Sequence, residues 1–318
     1  MDQESKYFSI VDSFHNLYLV IFSFGTLANI LSLIIFSSKK FHKSIFSTYF
    51  FQLTICDTLT LILTVDHFFE FKYKTSFNTI SNLSCKFRSY YEYVLPAVSA
   101  WTQVFISLDR FLSITLPYKL KSRKTKFFQL TICLMIISFN LVLYFPLFFS
   151  QIQITYFDIN TNKSESSCII FNPDGLIDWL DLFISTLIPF VIMSVSNGTM
   201  LIKIFNSRKR LHLISHDVSI KIRDIKFAIT SITLNFLFFT FNFPITFFFL
   251  SDNFFQLKSD DLIELIDIIV SLIFYLNFSV IFFISFLSNN FFRKEFFVIV
   301  NKIKSLLKIC FISENMFK

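Results

Sequence analysis

An all-α integral membrane protein, a bundle of seven transmembrane helices, follows from three features of the sequence. The chain has 318 residues, of which 54% are hydrophobic and only 16% charged, whereas soluble domains carry about a quarter charged residues. Its mean hydropathy is +0.61. Its apolar residues gather into long runs without the period-two alternation of strands. Backbone groups in lipid must be satisfied inside the segment, so such runs read as helices, and each crossing takes about 20 residues.

The runs fall at 15–37, 46–69, 86–116, 127–150, 177–205, 224–251 and 262–288. With no internal repeat, they make one seven-helix domain at 15–288, between a short N-terminus at 1–14, expected outside, and a tail at 289–318. The N-terminus, MDQESKYFSIVDSFHN, is acidic and polar and lacks the basic region of a signal peptide. The first run is therefore expected to act as the uncleaved targeting signal.

Charge orients the runs. Lys39 and Lys40 follow the first, Lys119 to Lys126 the third, Lys203 to Lys226 the fifth, and Arg293 to Lys318 the seventh. Basic loops stay in the cytoplasm, which predicts the N-terminus outside and the C-terminus inside. Asp158, Glu165, Asp174, Asp178, Asp252, Asp260 and Asp261 fall on the other side. The tail segment NFFRKEFFVIVNKIKSLLKICF interleaves apolar and basic residues at helical spacing. It reads as an amphipathic helix on the inner membrane surface. Cys310 within it is either a palmitoylation site or an ordinary packing residue.

Cys85, at the outer end of the third run, and Cys168, between the fourth and fifth, both face the oxidising side. That permits a disulfide, subject to geometry that a sequence does not give. Cys56 and Cys133 lie inside runs and read as packing residues. Asn82 and Asn162 begin outer glycosylation sequons, Asn162 the better placed. The sequons at Asn197 and Asn277 fall inside runs and are discounted.

Ionisable groups at membrane depth are costly and read as functional. Asp57 lies roughly 16 Å into the second run. Ser99, Asn29 and Asn277 fall in the same layer. The four either hold water and a sodium ion, or leave a protonated Asp57 bonded to Asn29. Glu92 lies about 10 Å below Cys85, at the depth of an outward cavity, with Tyr275 opposite. It either anchors a cationic ligand or pairs internally with Arg88. Asp109 and Arg110 close the third run, Arg110 roughly 37 Å from Cys85. Arg110 pairs either with Asp109 or with an acid on another helix. Asp224 is expected at the same inner boundary, and an Arg110–Asp224 pair would lock that side until a partner opens it.

Taken in order, these residues resemble the rhodopsin-like (class A) G-protein-coupled receptors over about Tyr18 to Phe297. The motifs are Asn29 in GTLANILSL, Asp57 in LTICD, Cys85, Asp109-Arg110-Phe111 in the Asp-Arg-Tyr position, Cys168, Pro146, Pro189, Pro244 and FFRKEF. LNFSVIFFISFLSNNFFRKEF looks most like the neuropeptide-receptor branch. The resemblance implies a plasma-membrane receptor. Its partners would be an extracellular ligand (a peptide ahead of an amine), a heterotrimeric G protein docking at Arg110, and arrestin. Glu92, Tyr275 and Asn242 are the ligand-cavity candidates, and no cofactor is expected beyond the sodium ion.

The sequence also departs from the family. Its Asn-Pro-x-x-Tyr falls on Ile281-Phe282-Phe283-Ile284-Ser285. The helix-six tryptophan is Asn242, the helix-four tryptophan Ile136, and the helix-five tyrosine Asn197. Losing the helix-seven proline predicts a straighter helix there. The seventh run has no Lys, which excludes a retinal Schiff base. The losses raise a second class, a receptor-shaped protein with little signalling. A seven-helix transporter or channel would show inverted repeats and Gly/Pro-broken helices, and the chain has 3 Gly and no repeat. No phosphate loop, metal cluster or nucleophile constellation points to an enzyme. The basic stretches are topology signals, not a nucleic-acid site.

Overall fold

A computed structural model describes residues 2–38, 47–73, 77, 80–115, 125–158, 163–170, 176–211, 218–255 and 261–316. In chain order the helices are α1 (Asp2–Phe36), α2 (Ser47–Tyr73), α3 (Asn82–Thr115) and α4 (Lys126–Leu143). A hairpin of β1 (Gln151–Asp158) and β2 (Lys163–Ile170) follows. The chain then returns through α5 (Leu176–Asp181), a π-turn (Leu182–Leu187) and α6 (Ile188–Leu211). Next come α7 (Val218–Phe255), α8 (Asp261–Leu276), α9 (Ile281–Ser288) and α10 (Asn290–Met316). Among the described residues, six helical segments are long and apolar enough to cross a membrane. The seventh, α3, has the length but carries Arg88, Glu92, Asp109 and Arg110. It packs against α2, α4, α6 and α7, which explains why its polarity is tolerable.

The lipid-facing surface is apolar, as the bilayer demands. Phe24, Ile62, Leu134, Val195 and Phe236 are exposed, while Val98, Ile106, Cys133, Ile136 and Phe282 share one core cluster. Cys56 and Cys133 are buried free thiols within it.

Three expectations are corrected. α1 begins at Asp2, not near residue 15, and Val11 and His15 are already buried in it. His15 stacks on Phe71 at 3.4 Å and Asp12 pairs with Lys72 at 3.3 Å, so contacts with α2 support the extra turns. The fourth run stops at Leu143, because Pro146 cannot donate to the helix ladder; a 3-10 turn, Phe145–Phe148, replaces its last residues. The stretch after it is an antiparallel hairpin, with Gln151 opposite Ile170 and Asp158 opposite Lys163.

Helix seven is the third correction. It is broken without a proline: α8 ends at Leu276, a 3-10 turn covers Asn277–Ser279, and α9 resumes at Ile281. Asn29 Nδ2 donates to the Phe278 carbonyl at 2.9 Å. One turn before Asn29, Gly25 lets the turn approach closely. A Cβ there would lie 2.7 Å from Leu61 Cδ1 and 3.0 Å from Ser279 Oγ. The irregular backbone is tolerated because protein buries it and α1 supplies a hydrogen bond.

Candidate functional site

The two ends of α3 define two polar regions. At the first, Cys85 and Cys168 are joined, with Cα atoms 5.7 Å apart, so the hairpin is fixed over the bundle mouth. Gln153 N donates to Asn82 Oδ1 at 3.4 Å and adds a second tether.

Below the disulfide lies an ion-paired network. Arg88 Nη1 pairs with Glu92 Oε2 one turn on, and Arg88 Nε donates to Asp66 Oδ2 at 3.0 Å. Arg88 Nη2 lies 3.3 Å from His67 Nε2. That imidazole is 3.5 Å from Glu92 Oε1 and hydrogen-bonded to the Tyr275 hydroxyl at 2.9 Å. Arg88 thus spreads its fork over both acids, the geometry that suits a guanidinium. Glu92 has the internal pairing weighed in the sequence, and 30% of its side chain stays accessible. Tyr275 is fully buried and meets Glu92 through His67 rather than directly. Asn242 is buried, and its Nδ2 donates to Phe238 O of its own helix at 2.6 Å. In a further contact, the Tyr144 hydroxyl donates to Asp181 Oδ1 at 2.7 Å.

Asp66 and His67 were not singled out in the sequence. The signal was available, since two ionisable residues stand together inside an apolar run. What was missing is the meeting of faces from α2, α3 and α8, which only packing decides.

In the middle layer Asn29, Asp57, Ser99 and Asn277 are all buried. Ser99 Oγ donates to Asp57 Oδ1 at 2.7 Å. Asn29 is turned to the Phe278 carbonyl, not to Asp57, so the alternative in which those two bond is not the one observed. Asn29 Oδ1, Ser32 Oγ and Ser279 Oγ are buried without hydrogen-bond partners.

At the far end of α3, Arg110 is buried and Asp109 and Phe111 are half-buried. The Arg110 guanidinium carbon lies 5.7 Å from the Phe50 ring centroid. Asp224 lies on α7, but its side chain is outside the described residues, as are Cys310's side chain and the whole of Asn162. α10 leaves this end, where Phe292 packs on Phe36 at 5.5 Å.

A seven-helix order, a disulfide from the head of α3 to the following hairpin and a buried arginine at its foot suit a membrane receptor. The model of the seven transmembrane receptor (rhodopsin) family matches residues 28–280. The chain belongs to that family. It is a multi-pass membrane protein of the G-protein-coupled receptor type, a receptor class and not an enzyme class. No curated protein matches the receptor significantly.

The matched residues include Asn29, Asp57, Arg110 and the joined Cys85 and Cys168. Asn197 and, beyond the matched residues, Ser285 are both buried. Phe282 packs its ring against Phe292 and Phe296.

Proposed function

We propose that the receptor binds an extracellular ligand, a peptide ahead of an amine, beneath the hairpin. Binding then opens the opposite end around Arg110 to a heterotrimeric G protein. The observation that carries this is α3 itself. One helix links a disulfide-fixed mouth to a buried arginine. The acids at the mouth favour a ligand with cationic groups. Glu92 already has two protein partners, so a small amine gains little from it alone. A peptide also reaches the hairpin and the α1 extension.

In this reading the disulfide end is extracellular and the receptor works at the plasma membrane. Glycosylation at Asn82 or Asn162 fits that side. α10 lies on the inner leaflet, held by its basic and apolar faces and by a lipid on Cys310. Arrestin uses the same inner face as the G protein. The Asp57–Ser99 pair and the unpartnered oxygens of Asn29, Ser32 and Ser279 form an oxygen-rich layer that suits sodium and water, hard-ligand chemistry.

A second reading is favoured by one observation: Ser285, Asn197 and Asn242 occupy positions where activation normally uses aromatic rings. A receptor-shaped protein with weak signalling would result. The test is surface expression with a promiscuous G protein, challenged with peptide and amine libraries. A peptide response supports the proposal, an amine-only response reverses the ligand class, and silence with intact surface expression favours the second reading.

A further inference from the structure

The Arg110 end is built from phenylalanine. Arg110 sits over Phe50 of α2 at 5.7 Å. Phe50 stacks on Phe36 of α1 at 5.2 Å, with the planes 21° apart. Phe36 meets Phe292 of α10 at 5.5 Å, and Phe292 meets Phe282 of α9 at 5.7 Å. Phe282 and Phe286 extend the series to Phe296, at 5.8 and 5.3 Å. Phe36, Phe50, Phe282 and Phe292 are all buried. Each step falls in the range of about 4.5–7 Å where aromatic pairs attract.

A guanidinium removed from water is stabilised by the face of a ring. Close-packed rings do not move singly, because interiors have no spare volume. If Arg110 leaves the Phe50 face, Phe50 must repack, and the disturbance passes through Phe36 to Phe292. Phe292 is in the first turn of α10, where its N–H donates to Asn289 Oδ1 at 3.4 Å.

We propose that Phe50 is a positioning residue for Arg110, and that the series Phe50–Phe36–Phe292–Phe282 couples Arg110 to the seating of α10. The series stands in for the ring that Ser285 does not supply. Only the signalling consequence of this coupling rests on the function proposed above.

The test is hydrogen–deuterium exchange over residues 290–297, on the full-length receptor in nanodiscs. Phe292→Leu raises exchange there directly. Phe50→Leu and Arg110→Met, although on other helices, each raise it roughly tenfold, about the worth of one aromatic contact. Phe50→Tyr keeps the ring and behaves as wild type. The Phe50→Leu/Phe292→Leu double variant exchanges no faster than Phe292→Leu alone, because both break one series. Where Phe50→Leu does not give folded protein, Phe36→Leu breaks the series at its middle. Faster exchange confined to α2, or single effects that multiply in the double variant, overturns the coupling. Exchange is read independently of signalling. Coupled exchange in a receptor that activates no G protein sinks the function proposed above and leaves the series standing; normal signalling with uncoupled exchange does the reverse.

Discussion

The two ends of α3 handle buried charge in different ways. At the disulfide end, Arg88 is neutralised by Asp66 and Glu92, with His67 and Tyr275 completing the set. At the other end, Arg110 has the carboxylate of its neighbour Asp109 as an electrostatic partner and also lies over the Phe50 ring, inside a run of phenylalanine rings. Ion pairs in fixed geometry resist change, because breaking them strands a charge in a low dielectric. A ring face contributes about 0.5–2 kcal/mol to holding a cation, a softer contact than the pairing of Arg88 with two acids. The contrast suits a molecule that is fixed at one end and opens at the other.

The largest expected effect breaks the fixed end. Cys85→Ser or Cys168→Ser should cost about 2–5 kcal/mol and remove most correctly folded receptor from the cell surface, as measured by surface immunostaining. Next comes Arg88→Ala, which strands Asp66 and Glu92. With Glu92 partly accessible, a loss of about 2–3 kcal/mol is expected, read as a lowered Tm of the purified receptor. Glu92→Gln, which leaves Arg88 paired with Asp66, should lower Tm less.

The break in helix seven gives a smaller and sharper contrast. Gly25→Ala places a methyl against Leu61 and Ser279 and should destabilise by about 1–3 kcal/mol. Gly198→Ala, with nothing within 4 Å of the new Cβ, should instead raise stability by about 0.5–1 kcal/mol through the better helix former. Parallel thermal melts of the two variants should therefore move in opposite directions.

How much of this was legible in the sequence depends on the range of the cause. The helices are written in composition and charge, and Asp57, Cys85 and Arg110 in their positions along single helices, whereas the pairing of Cys85 with Cys168 needed the geometry. The hairpin was half visible: QIQIT alternates with period two, but a long apolar context hid it. The broken seventh helix was not legible, because its cause is not the missing proline. It lies 249 positions away, in Asn29 and the nearby Gly25. The Asp66–Arg88–Glu92–His67 network was hidden for the same reason. Arg88 and Glu92 are one turn apart, but their partners arrive from α2 through packing.

The most direct test of the proposed opening around Arg110 to a G protein, with Asp224 as the partner expected from the sequence, is nucleotide exchange by purified heterotrimeric G proteins with the receptor in nanodiscs. Asp224→Ala should raise ligand-independent exchange above wild type, and Asp224→Ala/Arg110→Met should return it to the rate of G protein alone. If Asp224→Ala matches wild type and both sit at the G-protein-alone rate across the G-protein classes, with the receptor folded, the account is wrong.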